Sequence, residues 1–577
     1  MTALAERFNA PTQNLAAPSL FAADRSALNG WLERLPRTNL GQTTRSLYQA
    51  VVELNRVQLA PAQRLPLLET LRTAIHQAAD GLRRHYLNQP VALPEQPSKV
   101  AQLAQQLSEH LATGYLLVAL HTLAPGRQAG FSHPRQAVAT ALHRAIAEHS
   151  HNLLIDCQLY RDIRPGCWRQ LHQLAALAWE QQLERQAVTD AHHGDSTIEA
   201  AYLRALLLGS ANTHQLRQED LGRAYRHLLA WSRQASLCGA GEGLFCIEPD
   251  ADAGPVYREL CTPGAGWLGL DTAALAQHLL EQQEQSGDNE LSWDLTAHLV
   301  HAWSAAGKRA FLRMVVEDEV EVCLGLATSH HFIAGEIDFQ LLLSSGPAQL
   351  RMPKENPFLR QRSPATEQRG GGRDIWDAAY EPNAGLARMS LENIDFHIRE
   401  HDKASQERDK YRCHGAATVN VSPGGFCLKW PVDNAVQIRT GEIIGIRERS
   451  HQTWSVGVVR WVKLQQDGPR LGVELLSPAA APYGARVVNT SGPQAEYQRV
   501  LVLPEIKQIN QPATLIAPRL PFRVGQKVSL ACRDQETRVQ LTRRVSSSAA
   551  FSQFEFRRLG GASAASQDSF DSLWDNL

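Results

Sequence analysis

The sequence predicts an α+β multidomain protein, in which an N-terminal all-α domain precedes an antiparallel β-barrel and a second small β-rich unit. Between about residues 22 and 237, apolar residues recur every three or four positions, which is the period of a helix buried on one face. After residue 315, short runs rich in β-branched residues recur about every ten residues, which is typical of antiparallel sheets. Glycines and prolines interrupt the helical pattern between residues 238 and 266 and mark the change.

The N-terminal region, residues 1–237, is predicted to form a helical bundle or a solenoid. The window at 99–123 shows why, because Leu103, Leu107 and Leu111 form an apolar stripe that must face other helices. Hairpins of helices follow one another, but no repeated signature residues appear, so the periodicity leaves bundle and solenoid open. The strongest helical windows are 66–87, 99–123, 133–159, 168–187 and 196–208.

The remaining chain divides by composition. A polar stretch rich in Pro, Arg, Gln and Gly at 346–383 cannot bury a core, and it predicts an insertion within the barrel. The last residues are rich in Ser, Ala and Asp and predict a disordered tail. We therefore expect a connecting mixed or helical region at 238–307, a barrel at 308–480 with an insertion at 335–410, a second β-rich unit at 497–560 and a tail at 561–577.

Composition excludes several classes of function. The 577 residues carry a formal net charge of −1, so the chain has no overall field that would hold nucleic acid. Its nine cysteines contain no CxxC pair, which argues against a zinc ribbon and for free thiols in a reducing compartment. No segment has the roughly 18 unbroken apolar residues of a membrane span. We expect a cytoplasmic protein with no membrane insertion.

The stretch ATVNVSPGGFCLKW, residues 417–430, predicts two strands joined by a tight turn. Asn420 and Ser422 end the first strand two positions apart, so their side chains are predicted to point to the same face. Gly425 closes the bend and permits positive φ or a close backbone approach. The pattern indicates two polar groups that could hold one ligand together.

This stretch, with the later strand LGVEL at 471–475, resembles the PilZ domain, a six-stranded barrel that binds cyclic di-GMP in bacteria. In that family a (D/N)xSxxG motif ends one strand, and Asn420, Ser422 and Gly425 match it position by position. The resemblance covers about a quarter of the chain and leaves the N-terminal helices outside. It implies a cyclic di-GMP site at these three residues.

The resemblance also implies an RxxxR motif just before the barrel, and two arginine pairs fit. Arg408 and Arg412 lie so close to Asn420 that no strand fits between them and the turn. Arg309 and Arg313 are followed at once by VVEDEVEVCLGL, a suitable first strand, provided that the insertion separates it from the second strand. We favour Arg309 and Arg313 and keep Arg408 and Arg412 as the alternative.

These residue types suit such a ligand. A guanidinium can bond phosphate oxygens or the guanine O6 and N7 atoms in bidentate fashion and can stack on a base. The Asn420 amide can bond a guanine edge, although without the charge of the more usual Asp, and the Ser422 hydroxyl can donate to phosphate.

The other motifs in the sequence give weaker evidence of a function. His192-His193-Gly194-Asp195 resembles the His/Asp clusters of metal-dependent phosphohydrolases, but the sequence shows no partner motif for it. No Walker loop, GxGxxG fingerprint or GxSxG elbow occurs. We therefore expect no catalytic residues, no metal and no cofactor.

The favoured hypothesis is a cyclic di-GMP receptor whose helical domain is the output and binds a protein partner. The alternative is a nucleotide-independent interaction scaffold with a degenerate PilZ domain.

Overall fold

The computed structural model describes residues 3–36, 38–125, 129–285, 292–304, 314–315, 318–343, 411–432, 436–448, 453–488, 495–505, 511–533 and 535–559. These residues form an N-terminal helical region followed by two six-stranded barrels, which confirms the predicted α+β multidomain class. The tail at 561–577 and most of the insertion at 335–410 lie outside the described residues. Within the described part of the chain, no helix combines the length and hydropathy needed to cross a bilayer.

The N-terminal helices pack as a bundle around α6, which is buried along most of its length. Helix α6 contacts α5, α7, α8 and α9, whereas a repeat of a solenoid contacts only its neighbours. The helices are α1 (Ala3–Arg7), α2 (Arg25–Glu33), α3 (Leu40–Arg56), α4 (Pro61–Tyr86), α5 (Glu95–Leu123), α6 (Pro134–Gln158), α7 (Cys167–Glu180), α8 (Ile198–Ser210) and α9 (Gln218–Trp231), with the hairpin β1 (Ala187–Val188) and β2 (Ser196–Thr197) between α7 and α8.

Local sequence accounts for where these helices begin. Asp24 and Thr197 cap α2 and α8, since each side-chain oxygen accepts a bond from a backbone N–H three residues later. Pro61 and Pro134 occupy the first position of α4 and α6, where the missing N–H costs nothing. The predicted leucine stripe of α5 is buried in the core of the bundle.

The region predicted as a connector packs into the core of the helical bundle. It forms a small sheet in the order β3-β6-β4-β5, followed by two helices. Phe245 and Ile247 join the core, and Trp303 Nε1 donates to Ser210 Oγ at 3.1 Å. The elements are β3 (Ser236–Gly239), β4 (Phe245–Ile247), β5 (Val256–Tyr257), β6 (Leu268–Asp271), α10 (Ala273–Gln285) and α11 (Trp293–Ser304).

The middle barrel closes because β9 pairs with β10, which joins the two ends of the strand order β10-β13-β12-β11-β8-β9. A two-residue strand, β7, pairs with Asn420 and Val421 of β9, beyond the residues of β9 that pair with β8. Val322, Leu428 and Leu471 fill the interior. The strands are β7 (Met314–Val315), β8 (Glu319–Leu324), β9 (Cys413–Ser422), β10 (Gly425–Lys429), β11 (Ile443–Glu448), β12 (Ser455–Gln465) and β13 (Gly468–Ser477).

Two helices, α12 (Leu326–Ile333) and α13 (Phe339–Leu343), follow β8. The first nine residues of the insertion predicted at 335–410 are therefore structured. Phe339 and Leu342 of α13 are buried and pack near Tyr497 and Cys532 of the second barrel. These apolar residues lie before the polar stretch at 346–383, whose composition was the basis for the predicted insertion.

The second barrel has the closed order β14-β15-β16-β19-β18-β17 and begins one strand earlier than the predicted residue 497. Its first strand contains Pro482 and Gly484, which weaken the local strand signal. Leu501 and Ile516 pack against Val456 and Val458 on the outer face of β12. The strands are β14 (Ala481–Val487), β15 (Gln498–Leu503), β16 (Thr514–Pro518), β17 (Lys527–Cys532), β18 (Gln535–Ser547) and β19 (Phe551–Arg558).

The helical bundle contacts the middle barrel directly. Tyr160, which follows α6, packs with the apolar core of the barrel, and its carbonyl accepts a bond from Leu464 N at 2.8 Å. Lys463 pairs with Asp162 at 2.8 Å, and Arg217 Nε donates to the Thr440 carbonyl at 2.9 Å. Strand β12 is therefore in direct contact with the bundle through Lys463 and Leu464.

Candidate ligand-binding site

The Asn-Ser-Gly turn lies between β9 and β10, and the strand register decides where its side chains point. Ser422 is opposite Gly425 and Val421 is opposite Phe426, which packs against the barrel core. Paired residues share a face and neighbours along a strand alternate. Asn420 and Ser422 therefore stand together on the outer face of the barrel, both half-buried.

The backbone at position 425 accepts only glycine. Its φ is +150°, and a Cβ placed there would lie 1.9 Å from the carbonyl oxygen of Val473 on β13. No L side chain fits at that distance. Ser422 Oγ donates to the Gly425 carbonyl at 3.3 Å, which is long for a hydroxyl donor, so this bond holds the hydroxyl weakly.

The outer face continues across β10, β13 and β12. Gly472 on β13 is opposite Cys427, and Trp461 on β12 is opposite Gly472. A Cβ on Gly472 would lie 1.8 Å from Trp461 Nε1, so the indole occupies the space above this glycine. We call Asn420, Ser422, Gly425, Trp461 and Gly472 the outer-face patch. Both glycines are buried beneath their neighbours, so Asn420 and Ser422 are the polar side chains that this patch presents.

Two β-bulges flank the outer-face patch. The pairing of β9 with β10 skips Val419, and that of β12 with β13 skips Arg460. Bulges bend a strand and redirect a side chain, and they are frequent next to functional sites. The exposed Arg460 side chain pairs with Glu474, which is opposite Gly425 on the same face.

A cleft of about 430 Å³ opens on the inner side of the same turn. Val320, Val421 and Phe426 line it with Met314, and Ser422 stands at its rim. Strand β7 forms one wall, since Met314 is opposite Val421 and Val315 is opposite Asn420. The chain thus enters the barrel beside the polar residues of the outer-face patch.

Of the four candidate arginines, Arg309, Arg313 and Arg408 lie outside the described residues. Arg412 is exposed and immediately precedes β9. The expectation that no strand fits between Arg412 and the turn is wrong, because β9 begins at Cys413. Asn420 is eight residues along the strand from Arg412, which corresponds to roughly 26 Å at about 3.3 Å per residue. The neighbour of Arg412, Tyr411, stacks on His331 of α12, with ring centroids 4.6 Å apart. Arg412 therefore belongs to the opposite end of β9.

Three family models match the chain in succession. They are the N-terminal domain of the cyclic-di-GMP receptor FimW at residues 26–241, its middle PilZ domain at 244–482 and its C-terminal β-barrel domain at 483–559. The curated Cyclic-di-GMP receptor FimW of Pseudomonas aeruginosa strain PAO1 is 34% identical over 622 residues, which cover 100% of this chain and 99% of the relative. This chain belongs to the FimW family. No solved structure matches it.

The FimW family models confirm the PilZ resemblance inferred from the turn and the LGVEL strand. The outer-face patch lies wholly within the middle PilZ domain of the FimW family. The boundary between the FimW middle and C-terminal models, at residues 482 and 483, falls within β14, the strand that the sequence analysis did not assign.

The sequence analysis did not identify three residues on the outer face of the middle barrel, namely Arg460, Trp461 and Gly472. A signal for Gly472 existed, because a glycine inside an otherwise apolar strand often marks a close approach by another group. Nothing local identified Trp461 as its partner, since the pairing depends on a bulge in β12. In the described part of the chain, one side-chain group could hold a metal, and it lies in the helical bundle.

Proposed function

We propose that this chain is a cyclic di-GMP receptor that binds the nucleotide at the outer-face patch. One observation carries the proposal: Asn420 and Ser422 stand side by side on an outward face, within the segment that matches a PilZ domain. The naming of a full-length relative as a cyclic-di-GMP receptor supports the same reading. The proposed role is binding and signalling, without catalysis.

The polar groups of the outer-face patch remain available to a ligand. No other described residue hydrogen-bonds the Asn420 side chain, and Ser422 makes only its long bond to Gly425. The Asn420 amide would bond a guanine edge and Ser422 a phosphate oxygen. Gly425 is proposed to contribute indirectly, by permitting the tight turn that holds these two side chains.

Arg309 and Arg313 are proposed as the clamp over the phosphates and guanines. A ligand with two phosphates needs positive charge, and on the described part of this face Arg460 is already paired with Glu474. Arg313 directly precedes Met314, whose strand pairs with Val421 between the two polar residues. The alternative pair, Arg408 and Arg412, is disfavoured because Arg412 begins the far end of β9.

The signal would pass to the helical bundle through Trp461. Its indole covers Gly472 on the outer-face patch, and its ring meets His214 of the bundle edge-on, with centroids 6.5 Å apart. A ligand that orders the arginine segment against the patch would shift this indole and change how the bundle packs on the barrel. The bundle is proposed as the output that binds a protein partner.

Isothermal titration calorimetry tests the binding proposal. Purified full-length protein should bind cyclic di-GMP with a micromolar or lower Kd. Cyclic di-AMP, which lacks the guanine O6 acceptor, is the matched control ligand. Absence of heat with cyclic di-GMP, in protein shown to be folded by circular dichroism, would refute the receptor and favour the nucleotide-independent scaffold.

A further inference from the structure

A second cluster of chemistry-bearing side chains lies in the helical bundle, far from the outer-face patch in sequence. It includes His193 of the motif that the sequence analysis set aside. The turn that carries His193 is held firmly, because the backbone N–H groups of His192 and His193 both donate to Asp190 Oδ1, at 2.9 and 3.2 Å. Asp195 Oδ1 in turn accepts a bond from Asp190 N at 2.9 Å.

The bundle supplies the partners that the sequence did not show. His76 from α4, Glu148 from α6 and His193 each offer one ligand atom, and these atoms lie within 4.8 Å of one another. His76 Nε2 is 2.8 Å from Glu148 Oε1. Ligand atoms around a tetrahedral Zn²⁺ lie roughly 3.4 Å apart, given metal–ligand bonds of about 2.0–2.2 Å. Rotation of the two partly exposed histidines would close the difference.

Two atoms of the cluster have no hydrogen-bond partner among the residues that the structure describes. Glu148 is fully buried, and its Oε2 makes no hydrogen bond; the buried Nε2 of His193 makes none either. A buried polar atom without a partner destabilises the fold, so such an atom calls for an explanation. Both atoms have lone pairs of the kind that a metal ion satisfies, provided that the imidazole is neutral and the carboxyl is ionised.

Hydrogen bonds from the bundle fix one oxygen of the Glu148 carboxylate. Arg72 Nε donates to Glu148 Oε1 at 2.9 Å. The two terminal nitrogens of Arg72 in turn donate to the two oxygens of Asp190 at 2.9 and 3.1 Å. Glu148 Oε2 is thus the carboxylate oxygen to which no described residue donates.

We propose that His76, Glu148 and His193 form a binding site for a divalent transition-metal ion of the Zn²⁺ type. Two imidazoles with one carboxylate suit Zn²⁺ better than Ca²⁺ or Mg²⁺, which prefer all-oxygen ligand sets. The ion joins α4, α6 and the turn at 190–195, and three protein ligands leave one position for water. This proposal is independent of nucleotide binding, and it departs from the expectation that the chain holds no metal.

The test uses tag-free full-length protein, stripped with a chelator and titrated with Zn²⁺. Wild-type protein should take up one Zn²⁺ per chain with a sub-micromolar Kd, and its Tm should rise on binding. His76→Ala and His193→Ala should each weaken this binding at least tenfold and abolish the rise in Tm. His301→Ala, which removes an exposed histidine of α11, should behave as wild type.

Absence of stoichiometric uptake by the wild type, or unchanged affinity in folded His76→Ala and His193→Ala, would overturn the proposal. If both variants lose their helical circular dichroism, X-ray absorption of the Zn²⁺-loaded wild type decides. Two imidazoles with oxygen ligands support the site, and sulfur or all-oxygen ligation refutes it.

Discussion

Replacing both polar residues of the outer-face patch, Asn420→Ala with Ser422→Ala, should weaken cyclic di-GMP binding without unfolding the middle barrel. The fold loses little, because the Ser422 hydroxyl makes one long bond of 3.3 Å to the Gly425 carbonyl and both side chains are half-buried on the outer face. The ligand loses one hydrogen bond at each position. Each such bond is worth about 0.5–1.5 kcal/mol, so the pair costs about 1–3 kcal/mol.

That loss corresponds to a rise in Kd of roughly five- to 150-fold, since about 1.4 kcal/mol is tenfold. Calorimetry with cyclic di-GMP measures it, and the unchanged Tm of the ligand-free variant shows that the barrel is intact. Thr542→Ala, an exposed polar position on the second barrel, is the matched control and should bind as wild type. An unchanged Kd in the folded double variant would mean that Asn420 and Ser422 serve the turn alone.

The remaining predictions concern the clamp, the turn, the coupling and acid stability. Arg313→Ala should weaken cyclic di-GMP binding at least about tenfold in calorimetry, since a charge-assisted bond is worth about 1.5–3 kcal/mol, whereas Arg412→Ala should change it less than threefold; the reverse ranking would assign the clamp to 408–412. Gly425→Ala should destabilise the barrel by more than about 2 kcal/mol, seen as a lower calorimetric transition, because its Cβ would meet the Val473 carbonyl at 1.9 Å; an unchanged transition would contradict this close approach. Trp461→Ala should remove the nucleotide-dependent change in hydrogen exchange at Thr213–Gln215, and retention of that change would rule out this coupling. Acid should unfold the protein between pH 6.5 and 4, because burial lowers the pKa values of six histidines to about 4 and the unfolded chain therefore takes up protons first. Each of these histidines then lowers the free energy of unfolding by up to about 2 kcal/mol at pH 5. A free energy of unfolding that does not change from pH 7 to 5 in chemical denaturation would contradict the prediction. The six histidines are His110, His143, His149, His151, His214 and His330.

Local patterns in the sequence determined the helical region, the strands of the middle barrel and the polar turn. The leucine stripe of α5 predicts its buried face because side chains three and four apart share one side of a helix. The alternation of Asn420 and Ser422 likewise predicts one shared face of a strand. Each inference needs only the geometry of a single element, and the sequence contains that information in full.

Partners distant in the chain were decided by tertiary structure alone. Trp461 covers Gly472 only because a bulge shifts the register of β12 against β13, and no local pattern shows that bulge. His193 meets His76 and Glu148 because side chains of α4 reach α6 in the folded bundle, and the periods of these two helices predict only that each has a buried face. A periodicity fixes which side of an element is buried, but the partner on that side depends on how all elements fit together in a close-packed core.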